Sequence, residues 1–160
     1  MKFKILLVFL VMFTTKSAIS ANENLNLYDF SFEDIDGNQV NLEKFTGKPI
    51  LIVNTASRCG YTPQYSNLQN LFLEYKDSDL TIIATTSNSF YQEYEEVEDI
   101  KKICLVNYGV GFVTSSPMEV KGNNAHPLYA WMYETYNKKP KWNFFKFLFD
   151  RNGKLVESWS

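Results

Sequence analysis

Residues 50–53, an unbroken Ile-Leu-Ile-Val run, most constrain how this chain can fold. A strand with no polar face is typically buried on both sides of a sheet. Residues 80–84, Leu-Thr-Ile-Ile-Ala, form a second run of this kind. Apolar residues between the two runs recur at helical spacing, at Leu68, Leu71, Phe72 and Tyr75. Strand, helix and strand in this order predict two neighbouring strands of an α/β sheet.

The rest of the chain continues this alternation. Residues 30–40 alternate loosely around the turn dipeptide Asp36-Gly37, which predicts a small N-terminal β-hairpin. The later elements are a helix marked by Val97, Ile100, Ile103 and Cys104, a helix over 128–136, a strand over 144–149, a turn over 150–153 and a closing strand over 154–159. This order is typical of an α/β fold of the thioredoxin type, with a central mixed β-sheet flanked by helices.

The first twenty residues are typical of a secretory signal. Lys2 and Lys4 precede nine apolar residues, 5–13, and small and polar residues follow up to Ala21. The apolar run is too short for a stable membrane span, which needs about 20 residues. We therefore expect residues 1–20 to be removed on export, to the periplasm or the outside of the cell, and residues 21–160 to form one domain.

Composition and charge narrow the function classes. Hydrophobic residues make up 45% of the chain, enough for a packed core. The formal net charge of −2 does not indicate a nucleic-acid partner, which a basic face would recognise. His126 is the sole histidine and is expected to help begin a helix, so the sequence indicates neither a Ser-His-Asp triad nor a histidine-rich metal site.

The two cysteines, Cys59 and Cys104, could form a structural disulfide or a redox pair. Cys59 stands between a buried strand and a helix predicted to begin at Thr62-Pro63. The unpaired N–H groups of a helix start, and the neighbouring Arg58, favour a partly exposed thiolate over a buried, inert thiol. Thr62 occupies the place of the second cysteine in a dithiol oxidoreductase. A single attacking thiolate suits peroxide reduction better than disulfide exchange.

Three blocks of the sequence resemble glutathione peroxidases in their cysteine form. Residues 54–62, around Cys59, resemble the peroxidatic motif of that family, and residues 122–129 and 141–153 resemble two further blocks. The resemblance covers roughly residues 27–160. It implies reduction of hydrogen peroxide or of organic and lipid hydroperoxides, with no metal or organic cofactor. The short segment between Trp131 and Trp142 lacks the extra loop of tetrameric relatives, which implies a monomer.

The resemblance also implies a site made of Cys, Gln, Trp and Asn. Cys59, Trp142 and Asn143 match it residue by residue, and indole and amide N–H groups could hold a thiolate and polarise a peroxide. Aligning the flanking residues places Ser89 at the glutamine position. Because serine has a shorter donor, we expect Ser89→Gln to raise activity. A non-catalytic redox-sensing or binding homologue remains open as an alternative.

Cys104 resembles the resolving cysteine of the thioredoxin-dependent branch of the family. That likeness implies a Cys59 sulfenic acid that condenses with Cys104, and a disulfide that a thioredoxin-like protein or glutathione reduces. We expect Cys104 on a helix of its own, too far from Cys59 for a direct bridge. The acidic residues of 95–99 are expected to weaken that helix by like-charge repulsion. A buried helical cysteine and a simple Cys59–Cys104 staple remain open.

Overall fold

The computed structural model describes residues 25–160, so the predicted signal over residues 1–20 lies outside the described residues. The strands are β1 (Ser31–Glu33), β2 (Gln39–Asn41), β3 (Ile50–Thr55), β4 (Thr81–Thr86), β5 (Val113–Thr114), β6 (Lys146–Phe149) and β7 (Leu155–Trp159). The helices are α1 (Gln64–Tyr75), α2 (Val97–Lys101) and α3 (Pro127–Tyr136). Over the range 25–160, no helix has the length and apolar character needed to span a bilayer.

Five strands form a mixed sheet in the order β5-β4-β3-β6-β7. β3 pairs in parallel with β4, and β4 in parallel with β5, while β6 pairs antiparallel with both β3 and β7. β1 and β2 form a separate antiparallel hairpin. This architecture confirms the predicted thioredoxin-like fold and its N-terminal hairpin. Strand β5 is only two residues long, and the sequence pattern did not indicate it.

Strands β3 and β4 are buried on both faces, as their apolar runs predict. All six residues of β3 are buried. Ile50 and Ile52 point into a core that contains Leu128 and Met132 of α3. Their alternate neighbours in β3, and the inward residues of α1 and α2, build the opposite core, with members Leu51, Val53, Tyr65, Leu68 and Ile100. The period of two along a strand therefore sorts the helices into two layers.

Among the boundaries that differ from the sequence prediction, two lie beside the predicted site residues. Helix α1 begins at Gln64, after Thr62-Pro63, because the Thr62 hydroxyl oxygen accepts the Cys59 N–H at 3.1 Å. Strand β6 begins at Lys146 because Phe144 has a left-handed backbone, with φ of 62°. A bulky residue in this region is strained. Regular secondary structure is therefore interrupted at the two motifs, after Cys59 and after Trp142-Asn143.

The helix that carries Cys104 has two parts. Helix α2 continues as a π-helical turn over Lys102–Asn107. Glu98 and Asp99 lie in the first turn of α2, where the helix dipole favours negative charge. The expectation that the acidic residues of 95–99 weaken this helix stays a prediction, and the placement of these two charges at the helix start acts against it. The unusual feature is the π-helical turn, a form that is rare and frequent at functional sites.

His126 begins helix α3, as predicted. Its Nδ1 accepts the backbone N–H of Leu128 at 3.3 Å, and Pro127 occupies the first helical position. Burial lowers the pKa of the imidazole, which favours the neutral form that this hydrogen bond requires. The residue is accounted for by helix capping.

Candidate active site

Cys59 lies in a tight turn, residues 57–63, that connects β3 to α1. Its Sγ accepts the backbone N–H of Tyr61 at 3.3 Å. The Thr62 hydroxyl closes the turn, because its oxygen accepts the Cys59 N–H and lies 2.9 Å from the Ala56 carbonyl. Cys59 is only 7% exposed, less than the partly exposed thiol that we predicted. The turn folds the sulfur back toward the core and gives it a backbone donor.

Asn54, at the end of β3, brings the Trp142 segment to this turn. Its side-chain Nδ2 donates to the Trp142 carbonyl at 3.1 Å, and its Oδ1 accepts the Phe145 N–H at 3.1 Å. Its backbone carbonyl accepts the N–H of Phe144. Asn54 is fully buried, so these bonds form away from water. They fix the position of Trp142 and Asn143 relative to β3.

Replacing Asn54 with aspartate is expected to destabilise the fold by about 3 kcal/mol or more. The substitution keeps the shape but sets a carboxylate oxygen against the Trp142 carbonyl and buries an unpaired charge. Urea denaturation measures the change in the free energy of unfolding. Asn67→Asp, on the exposed face of α1, is the matched control and should shift stability by about 0.5 kcal/mol at most. Equal stability of the two variants would contradict the role of Asn54 in holding the Trp142 segment against β3.

Gln92 connects Asn143 to the Cys59 turn. The Asn143 Nδ2 donates to Gln92 Oε1 at 3.0 Å, and the Gln92 backbone carbonyl accepts the Arg58 N–H at 2.8 Å. Asn143 is buried and Gln92 half-buried. Sequence reasoning missed Gln92. A signal was present, since Gln92 is the only glutamine after Gln69 and lies close to the aligned motif.

Ser89, the residue predicted at the glutamine position, has its hydrogen bonds elsewhere. Its hydroxyl donates to Glu119 Oε2 at 2.6 Å. It also accepts from Ser87 Oγ at 2.9 Å and from the Val120 N–H at 2.9 Å. These bonds tie the loop after β4 to residues 119–120. The structure pairs Gln92 with Asn143 and leaves Ser89 in this separate network.

These contacts reverse the expected effect of Ser89→Gln. Ser89 is 7% exposed, so a glutamine must displace its neighbours and break three hydrogen bonds. We expect a loss of about 1–3 kcal/mol in unfolding free energy and no gain in activity. Thermal denaturation together with a peroxidase assay checks both. Ser66→Gln, on the exposed face of α1, is the control. Higher activity of the Ser89→Gln protein would support the alignment that places Ser89 at the glutamine position.

Trp142 forms an exposed aromatic wall beside the turn. Its side chain is 42% exposed, and its ring packs at a tilt against Phe90, with centroids 5.2 Å apart. Trp142 and Asn143 line a cavity of about 240 Å³ together with Tyr61 and Gln64, which follow Cys59 in the chain. The predicted residues Trp142 and Asn143 thus lie beside the turn that contains Cys59, although Cys59 itself does not line the cavity.

A buried carboxyl group lies on the other side of the turn. Glu93 is 3% exposed, and its Oε1 accepts the N–H groups of Ser57 at 3.0 Å and Tyr94 at 2.9 Å. Burial raises the pKa of this carboxyl, although the Ser57 side chain and the two backbone donors act in the opposite direction. Gln92 and Glu93 therefore hold two consecutive residues of the turn, Ser57 and Arg58.

Cys104 is fully buried in the π-helical turn, and both thiols are free. The helix location agrees with the prediction for the reduced protein. Cys104 belongs to the same apolar core as Cys59 and Tyr65. Burial raises the pKa of the Cys104 thiol to about 11, and the nearby charge of Glu93 adds to this shift. Between residues 25 and 160, no cluster of His, Cys, Asp and Glu side chains is arranged to hold a metal ion.

Comparison with known proteins decides the family. The glutathione peroxidase family model matches residues 27–133. A glutathione peroxidase of Lactococcus lactis is 40% identical over 138 residues, which cover 83% of this chain and 88% of that protein. The chain belongs to the glutathione peroxidase family. It is therefore an oxidoreductase of the peroxidase type.

Other relatives agree with this family assignment. A hydroperoxy fatty acid reductase of Synechocystis is 41% identical over 150 residues, covering 87% of this chain and 89% of that protein. The crystal structure of T. cruzi GPX1 matches with a TM-score of 0.67 at 33% identity. That match covers 85% of this chain and 86% of the other. These matches support the family assignment and the thioredoxin-like fold.

Proposed function

We propose that this peroxidase reduces hydrogen peroxide or organic hydroperoxides through the thiolate of Cys59. The observation that carries the proposal is the placement of Cys59 in a turn joined by Gln92 to Asn143. The thiolate attacks one oxygen of the O–O bond and becomes a sulfenic acid. The other oxygen leaves with the electron pair and takes up a proton as water or an alcohol.

Donor groups near the sulfur support this chemistry. Tyr61 supplies a backbone N–H to Sγ, a fixed dipole that stabilises negative charge on sulfur. Gln92 Oε1 takes the Asn143 bond, so the NH₂ end of Gln92 is the part that can donate to a bound peroxide. Trp142 offers an indole N–H from the exposed wall. In this proposal Gln92 takes the role first assigned to Ser89.

We propose further that Cys104 resolves the sulfenic acid. Its thiol is fully buried, so the π-helical turn over Lys102–Asn107 must open before Cys104 can reach Cys59. The product is a disulfide that a thioredoxin-like protein, or glutathione, reduces by thiol exchange. The fatty-acid hydroperoxide named for the Synechocystis relative is the second substrate to compare with hydrogen peroxide.

One experiment separates this proposal from its alternatives. The purified protein is reduced, freed of reductant and mixed with one equivalent of hydrogen peroxide or of a fatty-acid hydroperoxide. Rapid peroxide consumption, followed by a Cys59–Cys104 disulfide in peptide mapping, is the expected result. Absence of consumption supports the non-catalytic homologue. A disulfide that forms in air and is never broken by thioredoxin supports a structural staple.

Export is a separate proposal, supported by the basic start and the apolar run of residues 5–13. We expect the protein recovered from the producing cell to begin near residue 21 and to behave as a monomer on sizing. N-terminal sequencing of that material tests the first point. An intact Met1 on the active protein would refute cleavage.

A further inference from the structure

Glu93 is a buried ionisable group that the peroxide-reducing step does not use. Its Oε1 is occupied by the backbone N–H groups of Ser57 and Tyr94. Its Oε2 has no access to water and, within residues 25–160, no partner with hydrogen-bond geometry, although the Ser57 side chain lies close enough to lower the pKa of the carboxyl. An unpaired buried carboxyl oxygen is costly, and groups of this kind are concentrated at functional sites.

The surroundings of Glu93 join both cysteines. Its bond to Ser57 anchors it to the turn that holds Cys59. Tyr94, the next residue, packs on the core that contains Cys59, Tyr65 and Cys104. The phenolic oxygen of Tyr65 is a second buried polar atom in that core without a partner in the described chain. The Glu93 carboxyl is thus anchored to the turn that carries the attacked sulfur, and its charge acts on the thiol of Cys104.

The resolving step needs such a group. While the π-helical turn is closed, the pKa of Cys104 is near 11 and only about one thiol in 10⁴ is ionised at neutral pH, so the thiol carries its proton into the resolving step. The leaving group on the Cys59 sulfenic acid is hydroxide, a poor leaving group unless it is protonated. A single acid–base group can serve both cysteines in this reaction, because the proton that the Cys104 thiol loses is needed by the hydroxide that leaves Cys59.

We propose that Glu93 transfers the proton from the Cys104 thiol to the departing hydroxyl of the Cys59 sulfenic acid. This inference rests on the proposed function. As the Cys104 sulfur attacks the Cys59 sulfur, its proton passes to the Glu93 carboxylate. The S–S bond forms, the S–O bond breaks, and the protonated carboxyl releases its proton to form water. The Cys104 sulfur is oxidised and the sulfenic sulfur is reduced, so no further oxidant takes part.

Glu93→Gln separates proton transfer from a structural role. The variant keeps an amide oxygen for the N–H groups of Ser57 and Tyr94, so it retains the clamp on the turn, but it cannot carry the proton. We expect sulfenic acid to form at the wild-type rate and the disulfide to form about 100-fold more slowly. Rapid quench and mass spectrometry follow both species. Glu93→Asp, which keeps an acid, should restore part of the resolving rate.

The pH profile of disulfide formation gives the second readout. The titratable groups on which the charge of Glu93 acts are Tyr65 from α1 and Cys104 from the π-helical turn, while Cys59 and Arg58 belong to the turn that Glu93 anchors through Ser57. Burial raises the pKa values of Tyr65 and Cys104 far above neutrality, so neither titrates between about pH 5 and 8. In wild type the rate should bend at the ionisation of Glu93, read independently from its carboxyl carbon resonance. The bend should vanish in Glu93→Gln, whereas any contribution of the Cys59 sulfenic acid would remain.

Each outcome decides between the two proposals. If wild type forms no sulfenic acid, the proposed function fails. If wild type forms the disulfide and Glu93→Gln forms it at the same rate with the same pH profile, only the role of Glu93 fails. Equal slowing of both steps in Glu93→Gln would make Glu93 a structural clamp and overturn the inference. If Glu93→Gln does not fold, the wild-type protein decides alone. A rate of disulfide formation that does not change at the ionisation of Glu93 would overturn the inference.

Discussion

Cys59→Ser is expected to abolish peroxide consumption, lowering the rate by about 10³-fold or more, the scale seen when an enzyme loses its nucleophile. The serine hydroxyl stays protonated at neutral pH and attacks an O–O bond poorly. Its oxygen can still accept the Tyr61 N–H, so the turn and the fold should be retained. Stopped-flow measurement of peroxide loss with pre-reduced protein gives the rate, and thermal denaturation confirms folding.

Cys104→Ser is the control for this loss, because it removes the other thiol and leaves the Cys59 turn intact. It should consume one equivalent of peroxide at the wild-type rate. The opposite pattern, with Cys59→Ser active and Cys104→Ser inactive, would make Cys104 the attacking residue. That outcome would conflict with the full burial of Cys104.

The sheet and its helices could be predicted because the sequence signals are strong and local. The apolar runs at the centres of β3 and β4 leave no polar face, and the spacing of apolar residues in α1 has the helical period. Strand β5 was not predicted, because a strand of two residues is too short to show an alternating pattern. Its place in the sheet comes from pairing with β4, a long-range contact that no local signal records.

The position of Gln92 could not be predicted in the same way. It lies in the loop between β4 and α2, where Tyr91 adopts a left-handed backbone with φ of 60°. In this conformation, the directions of consecutive side chains follow neither the period of a helix nor that of a strand. Alignment by the flanking residues therefore placed Ser89 at the site, whereas the hydrogen bonds place Gln92 against Asn143. The role of Asn54 was equally hidden, because its partners lie about ninety residues away in sequence.

Cys104→Ser tests the second half of the mechanism and should stop the enzyme after one turnover. Without a thiol at position 104, the Cys59 sulfenic acid has no internal partner. Cys59 itself is only 7% exposed, so an external protein thiol has limited access to it. We expect the variant to gain the mass of one oxygen after one equivalent of peroxide, and wild type to lose two hydrogens instead. Continuous turnover with a thioredoxin-like reductant should disappear in the variant.

The contrast with wild type depends on how readily the π-helical turn opens. If Lys102–Asn107 opens faster than a second peroxide arrives, the disulfide forms and Cys59 is protected from further oxidation. Rising peroxide should therefore inactivate Cys104→Ser by sulfinic acid formation at concentrations that wild type survives. Mass spectrometry of Cys59 at each peroxide level distinguishes the two proteins. Equal over-oxidation of both, with Cys104 still reduced in wild type, would replace the two-cysteine scheme with a one-cysteine mechanism in which an external thiol reacts directly with Cys59.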